Sequence, residues 1–459
     1  MPIAPGVTTS GVHVASSRHY RQQAFYLRSN TECYAYNPAT DGWITLPSPG
    51  LAGTFGAGAA GVCGAWSTGS TVGAASLTAT SGTTSTIVTN QTLARDLRGF
   101  RVQILAGPNA GAVLEILRNT IAANATITVA TQGSAFSAST VFRLLAPRYF
   151  VVSAGTLAAG SFRVYDFATN TWTSLSITGL PATLGTDGRL VATPSLLDST
   201  IQAFASGTAT AGGASTLDNS AKTWTVNQWT NYQIRITAGT GAGQIRTIAS
   251  NTATQITVSA AWTTSPDATS QYSIEGNDDF LYYLGNAAVA MYRYQISTNT
   301  WTTLSPTVAR TGAPGAALSA EWLRDSPAPD WTNESDIKNG RFIYSFRGGA
   351  ANDLARYDIA LNAWTAMTYS PSSETFTTGA KYVAQNGSIY IHHQSGRLFR
   401  YDVALSEMFP WGVFLYAQGT ALVGNTCFDV VYRDGATTIY YVYMVLNSSN
   451  VMLRMMEIA

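Results

Sequence analysis

One cassette recurs along this sequence and restricts its fold more than any other feature. A tyrosine ends an alternating run, a turn cluster follows, and a tryptophan stands seven positions on. The copies are Tyr34-Ala-Tyr36-Asn-Pro-Ala-Thr-Asp-Gly-Trp43, Arg163-Val-Tyr165-Asp-Phe-Ala-Thr-Asn-Thr-Trp172, Tyr292-Arg-Tyr294-Gln-Ile-Ser-Thr-Asn-Thr-Trp301 and Ala355-Arg-Tyr357-Asp-Ile-Ala-Leu-Asn-Ala-Trp364. A fifth, Phe399-Arg-Tyr401-Asp-Val-Ala-Leu, decays into Met408-Phe-Pro-Trp411. Alternation up to the Tyr marks a strand with one buried face, the Asn/Asp/Thr/Gly cluster marks a turn, and Trp-x-x-Leu opens the next strand. Fixed-period self-similarity of this kind indicates a repeat architecture.

Upstream of each copy lies another β-rich run: Ala24–Leu27, Tyr149–Val152, Phe280–Tyr283, Arg341–Tyr344 and Ser388–Ile391. A sixth, Thr438–Tyr443, precedes Val451–Met455 without a Trp strand. Six hairpins point to an all-β, six-bladed β-propeller. Gly11–Ser16 is then expected to close the last blade, because closing a ring removes exposed sheet edges. The Tyr and Trp are expected to wedge between neighbouring blades, and small-residue runs such as Phe55–Ala65 and Gly312–Ala317 to line the crowded axis. The hairpin resembles the kelch motif, most closely in Phe342-Ile-Tyr-Ser-Phe-Arg-Gly348-Gly349 leading to Tyr357-Asp358 and Trp364; other blades lack Gly-Gly, so the likeness is to a divergent, kelch-like ring.

Marker spacing carries a second message. Trp43 to Trp172 and Trp172 to Trp301 are each 129 positions, whereas Trp301 to Trp364 is 63. The long intervals hold two further segments that match one another, Phe100-Arg-Val-Gln-Ile-Leu-Ala-Gly107 with Tyr232-Gln-Ile-Arg-Ile-Thr-Ala-Gly239, and Thr126-Ile-Thr-Val129 with Gln255-Ile-Thr-Val258. Short alternating strands broken by Gly/Asn turns read as small β-barrel or sandwich modules inserted in the propeller. The expected division is 1–66 (closing strand and blade 1), 67–144 (module 1), 145–206 (blade 2), 207–275 (module 2) and 276–459 (blades 3 to 6). The loop Ser319–Lys338 decorates the next blade at the equivalent place. Module 2, from Trp224-Thr-Val-Asn-Gln-Trp229 through Gly239–Ile248 to Trp262 and Pro266–Tyr272, is similar to a module of bacteriophage virion proteins, which implies a particle component and carries no catalytic residue.

Composition narrows the function. Only 11% of the residues are charged and the formal net charge is +1, against about 25% charged in an ordinary domain. A basic stripe for phosphate neutralisation is missing, so no sequence-specific nucleic-acid partner is expected. Neither a secretory signal nor an apolar run of transmembrane length is visible. Cys33, Cys63 and Cys427 lack C-x-x-C spacing and read as small buried hydrophobes. Gly56-Ala-Gly58-Ala-Ala-Gly61 fits the dinucleotide pattern without the helix that chemistry needs. The neighbours His392 and His393 point to opposite faces of a strand. No Gly-x-Ser-x-Gly elbow occurs. Neither a catalytic set, a cofactor nor a metal is therefore expected.

These readings converge on a non-enzymatic structural component of a bacteriophage virion, in the tail or neck and of hub or nozzle type. It would assemble in the host cytoplasm with other virion proteins and copies of itself. The alternative is a carbohydrate-binding host-recognition protein, with a kelch-type oxidase or hydrolase behind it. The candidate interaction surface comprises Trp224, Trp229, Trp322, Arg324 and Trp331, since aromatic loops on a rigid scaffold can stack on sugar rings or anchor a protein partner.

Overall fold

The computed structural model describes residues 13–16, 24–37, 40, 42–53, 60–67, 76–94, 96–98, 100–167, 169–185, 188–192, 203–277, 279–285, 291–308, 317–320, 342–346, 353–367, 381–385, 388–393, 397–402, 405–413, 426–434, 437–445 and 452–458. Among them every regular element is a strand.

Most strands form antiparallel meanders whose spatial order is their chain order. His13–Ser16, Ala24–Leu27, Cys33–Asn37 and Gly42–Leu46 make the first sheet. The second joins Ala60–Ser67 to Val141–Val152, Phe162–Asp166 and Thr171–Ser174, and the third joins Arg189–Ala192 to Phe280–Leu284, Met291–Gln295 and Thr300–Leu304. The fourth holds Ala317–Ala320, Phe342–Phe346, Leu354–Asp358 and Ala363–Met367, and the fifth holds Lys381–Gln385, Ser388–His392, Arg397–Asp402 and Glu407–Val413. Thr426–Asp434, Thr437–Val445 and Met452–Ile458 form the last, which has three strands among the described residues. The first strand of each sheet lies beside the first strand of the next, and Thr426–Asp434 returns to lie beside His13–Ser16. Sheets set radially about a circuit of inner strands are a β-propeller.

His13–Ser16 does not close the last sheet. It pairs with Ala24–Leu27, in the register His13 opposite Leu27 through Ser16 opposite Ala24. Only seven residues separate these strands, and so short a connection favours pairing with the next strand in the chain. Ala60–Ser67, assigned to blade 1 by the sequence, pairs instead with Val141–Val152 as the innermost strand of the second sheet.

Each hairpin is built by its cassette. Tyr36, Tyr165, Tyr294 and Tyr357 stand directly opposite Trp43, Trp172, Trp301 and Trp364, with ring centroids 4.9, 5.4, 5.1 and 5.2 Å apart. Five positions after the Tyr, Asn170, Asn299 and Asn362 reverse the chain at φ 57°, 54° and 50°, a left-handed conformation that Asn tolerates better than most residues. The tyrosine hydroxyl donates to that asparagine's Oδ1 at 2.6, 2.7 and 2.8 Å.

The cassette also fastens neighbouring sheets. Trp172 Nε1 donates to the Pro47 carbonyl at 2.9 Å and Trp301 Nε1 to the Ser176 carbonyl at 3.1 Å. Asn299 Oδ1 accepts from Ser176 N at 2.9 Å, and Asn362 Nδ2 donates to the Ser305 carbonyl at 3.1 Å. Pro47, Ser176 and Ser305 each stand four positions after a cassette Trp, so one device recurs at successive sheet boundaries. Phe162 of the second sheet packs against Tyr294 and Trp301 of the third, at 4.8 and 5.1 Å. The rings thus wedge between sheets as expected, each buried aromatic contributing about 1.5–3 kcal/mol.

Two further β units interrupt the meanders. In the second, the order is Ala203–Thr208, Gln271–Glu275, Gln233–Ala238, Ile245–Asn251, Gln255–Val258, Thr216–Asp218, Ala211–Gly212. Its first and last members are nearly consecutive in the chain, which curls the sheet back on itself. The first unit repeats the scheme with Leu77–Gly82, Thr86–Thr89, Arg101–Ala106, Val113–Glu115, Arg118–Asn119, Thr126–Thr128 and the start of Val141–Val152. Each has its own apolar core, Phe100, Val102, Ile104 and Phe142 in one and Tyr232, Ile234, Ile236 and Tyr272 in the other. The boundaries set at 144 and 206 fall inside the strands Val141–Val152 and Ala203–Thr208.

Candidate functional site

The two units meet, and their junction is a buried polar network. It starts from alternation. In Gln233–Ala238 the residues Ile234 and Ile236 enter the unit's core, which turns Gln233, Arg235 and Thr237 outward. In Arg101–Ala106, Val102 and Ile104 likewise enter the core and Gln103 and Leu105 face out. These outward faces are covered all the same: Gln103, Leu105, Gln233 and Arg235 are at most 2% exposed.

Arg235 crosses the junction. Its Nε donates to Glu275 Oε1 at 3.0 Å, its Nη2 also reaches that carboxylate, and its Nη1 donates to the Leu105 carbonyl of the other unit. Gln233 Nε2 adds a 3.4 Å bond to Glu275 Oε2. On the opposing face Arg143 Nε donates to Gln103 Oε1 at 2.5 Å. Taking two charges out of water costs several kcal/mol per ion unless they are well paired and hydrogen-bonded, and here both conditions are met. Gly107 N also donates to the Thr237 carbonyl at 3.4 Å. Close approach matters elsewhere too: Gly239, at φ 75°, has no room for a side chain, since a Cβ would sit 2.0 Å from the Thr269 carbonyl.

The second unit is tied to the propeller as well. Asn231 Nδ2 donates to the Ile359 carbonyl at 3.0 Å, and Arg293 Nη1 donates to Asn231 Oδ1 at 2.8 Å. Ala360 joins the unit's apolar core. The first unit needs no such tie, because Val141–Val152 runs without a break from its partners Arg101–Ala106 into Ala60–Ser67 and Phe162–Asp166.

The aromatic residues singled out by sequence divide. Trp229 is 1% exposed and belongs to the core of the second unit, so it is no stacking platform. Burial follows from its neighbours: its backbone N–H donates to Asn251 Oδ1 at 2.8 Å, and its ring lies edge-on to Tyr232 at 5.5 Å. Trp224 is half-buried, edge-on to Trp229 and Tyr272 at 6.5 and 6.4 Å, with Val226, 64% exposed, in the same loop. Trp322, Arg324 and Trp331 lie outside the described residues.

Sequence reasoning missed Asn251. Its Nδ2 donates to the Thr225 and Thr252 carbonyls at 2.8 Å each while its Oδ1 holds Trp229 N, so one side chain fixes the whole 224–229 loop. Asn119 plays the same part toward Leu97 N at 2.7 Å. The signal was an Asn at matching places in both copies. Nearby, the Tyr272 hydroxyl accepts from Asn219 Nδ2 at 2.8 Å, and burial pushes its pKa up to about 12. Hydrogen bonds from Thr269 and Thr240 hold the Asp267 carboxyl below its usual range, pinning a surface turn.

Other candidate chemistry is structural where it is described. Cys33 is buried and burial pushes its thiol up, as a small core residue requires. His393 is buried, its ring edge-on to Phe399 at 5.9 Å. No cluster of three or more His, Cys, Asp or Glu suited to a metal occurs among the described residues. Among them, too, no helix is long and apolar enough to cross a membrane.

No known family's sequence profile matches the chain, and no curated protein matches it. Among solved structures it is similar to the fucose-specific lectin from Aleuria aurantia, at 11% identity and a TM-score of 0.42, over 99% of this chain and 94% of the lectin. A second structure of Aleuria aurantia lectin, described as a six-bladed β-propeller, gives 9% identity and a TM-score of 0.40 over 98% and 91%. A protein titled YjhT gives 14% identity and a TM-score of 0.24. That alignment covers 39% of this chain and spans 62% of the length of YjhT.

Proposed function

We propose that the chain is a non-enzymatic scaffold: a six-bladed propeller that carries two inserted β modules, Leu77–Leu145 and Ala203–Glu275, as one docking platform for neighbouring protein subunits. The phage-type module gives this role its setting, a tail or neck component of a virion. The observation that carries the reading is the junction at Arg235, whose guanidinium, held by a buried ion pair to Glu275 within its own module, reaches the Leu105 carbonyl of the other while both modules remain anchored to the propeller. A projection held this firmly keeps one shape, and pre-organised surfaces lose little entropy when they dock. Low charge suits it, since a neutral surface repels its neighbours weakly. Light scattering and electron microscopy of the purified full chain, alone and with particle components, test the proposal. Ordered oligomers or specific binding to a particle component are expected. A chain that stays monomeric and binds no such component would overturn it.

A second reading, glycan binding, is favoured by one observation: the half-exposed Trp224 ring beside Val226 and the polar residues Asn227 and Gln228. A glycan array with the full chain and Trp224→Ala tests it. Binding lost in the variant is expected, and an array without a binder sinks the reading.

A further inference from the structure

The clasps between sheets change along the ring. Where the first sheet meets the second, Trp172 Nε1 donates to the Pro47 carbonyl at 2.9 Å, Ala52 N donates to the Gly160 carbonyl at 3.2 Å, and Arg163 reaches the Pro49 carbonyl. Where the second meets the third, the Ser176 carbonyl accepts from the Trp301 indole at 3.1 Å, and Ser176 N donates to Asn299 Oδ1 at 2.9 Å. Where the third meets the fourth, Asn362 Nδ2 donates to the Ser305 carbonyl at 3.1 Å, and Thr307 N donates to the Asn362 carbonyl at 3.2 Å.

At the fifth sheet the cassette has lost both clasping side chains. Ser406, at φ 56°, holds the left-handed turn position of the Asn, and Met408 stands opposite Tyr401 in place of the Trp. A serine side chain has no amide and a methionine side chain no N–H to send across. The nearby Trp411 packs on Tyr390 at 4.5 Å, and Tyr390 points to the opposite face of the sheet from Ile389 and Ile391. The fourth and fifth sheets meet through an apolar cluster, with Tyr344 and Phe346 of one against Ile389, Ile391, Tyr401 and Met408 of the other. Apolar burial is non-directional, whereas each clasp also fixes two sheets in position.

We infer that the join between the fourth and fifth sheets is an opening joint of the ring: it parts while the first four sheets stay together as one rigid arc bearing the inserted units. Proteins open in cooperative units at free energies below that of global unfolding, and a boundary without its specific clasps is where such a unit separates. Each missing clasp bond makes opening about five-fold easier, so two make it about 25-fold easier. The joint lets the ring change its girth on assembly without disturbing the docking platform. The inference rests on the ring and scaffold readings above.

Thiol labelling of the native full chain, read by peptide mass, tests it. Cys33 is fully buried in the apolar cluster between the first and second sheets, and Ile391 is fully buried between the fourth and fifth. In the Ile391→Cys variant both thiols share one molecule, so any loss of global stability affects them alike. The introduced thiol should react roughly 25-fold faster than Cys33, with a shallower dependence on urea than global unfolding shows. Equal rates, or a urea dependence as steep as that of global unfolding, would overturn the inference. A second variant tests the clasp itself. Val152 is fully buried between the second and third sheets, and the thiol of Val152→Cys should react about five-fold faster once Asn299→Ala removes the bond from Ser176. An unchanged rate there would show that the clasps do not hold the sheets together and would overturn the inference too. If Cys33 reacted as fast as a free thiol, the ring reading would fail first.

Discussion

Asn299 is the sharpest place to perturb the propeller. Its Oδ1 accepts from the Tyr294 hydroxyl at 2.7 Å and from Ser176 N of the preceding sheet at 2.9 Å, and its backbone is left-handed at φ 54°. Asn299→Ala removes both bonds, at about 1 kcal/mol each, and places a Cβ-bearing residue without a local hydrogen bond where it costs about another 1 kcal/mol. A loss of about 3 kcal/mol is expected. Asn299→Gly loses the same bonds but relieves the left-handed strain, so about 2 kcal/mol is expected. Urea denaturation at matched m-values measures the difference. Amide exchange at Ser176 gives a local readout, because that N–H is the one released; it should speed up in both variants. The reasoning fails if the two variants are equally stable, or if Ser176 exchange is unchanged in either.

Three further outcomes follow from the same structure. Arg235→Met should destabilise by about 3–5 kcal/mol, because Glu275 is left buried and unpaired, and the double change with Glu275→Met should recover most of the loss in thermal or urea melts. Gly239→Ala should cost about 1–3 kcal/mol, since φ is 75° and the new Cβ would meet the Thr269 carbonyl; a calorimetric melt unchanged by the substitution would contradict this. Tyr26, Tyr272 and Tyr282 have pKa values pushed up to about 12 by burial, so their contribution to stability is complete below about pH 10, the value for a free tyrosine, and fades as pH rises through 12. Tyrosinate absorbance should therefore lag behind a free-tyrosine titration until the chain unfolds; a single midpoint near 10 with the fold intact would refute it.

The hairpins were legible because Tyr and Trp at a fixed spacing on paired strands leave few alternatives, and their burial between sheets is what the sequence pattern implies. The role of the last Asn in each turn was only half legible. A turn could be read from composition, but the bond from Asn299 to Ser176 spans 123 positions and depends on how sheets are set side by side. His13–Ser16 was misplaced because closure was argued from the need of the ring, whereas the short connection to Ala24 decided the pairing. Trp229 was misread for a related reason. An aromatic in a polar loop looks like a surface residue until the Asn251 side chain, 22 positions away, is seen to draw it inward. The likeness of the two units was plain from Phe100–Gly107 and Tyr232–Gly239, yet nothing in either segment alone announced that their outward faces, carrying Gln103 and Arg235, would be covered.

The unbroken strand Val141–Val152 has a mechanical consequence. Its first half pairs with Arg101–Ala106 and its second half with Ala60–Ser67 and Phe162–Asp166, so it works as a beam with one end in each body. A pull on the first unit along that axis loads two ladders of backbone hydrogen bonds in shear, all of them sharing the force at once. The second unit meets the propeller where Gln271–Glu275 stops short of Phe280, so side-chain ties carry its load singly, Asn231 to Ile359 toward the ring and Arg235 to Leu105 toward the first unit. Under tension the two copies of one design would yield in order, the second hinging away while the first stays fixed to the ring.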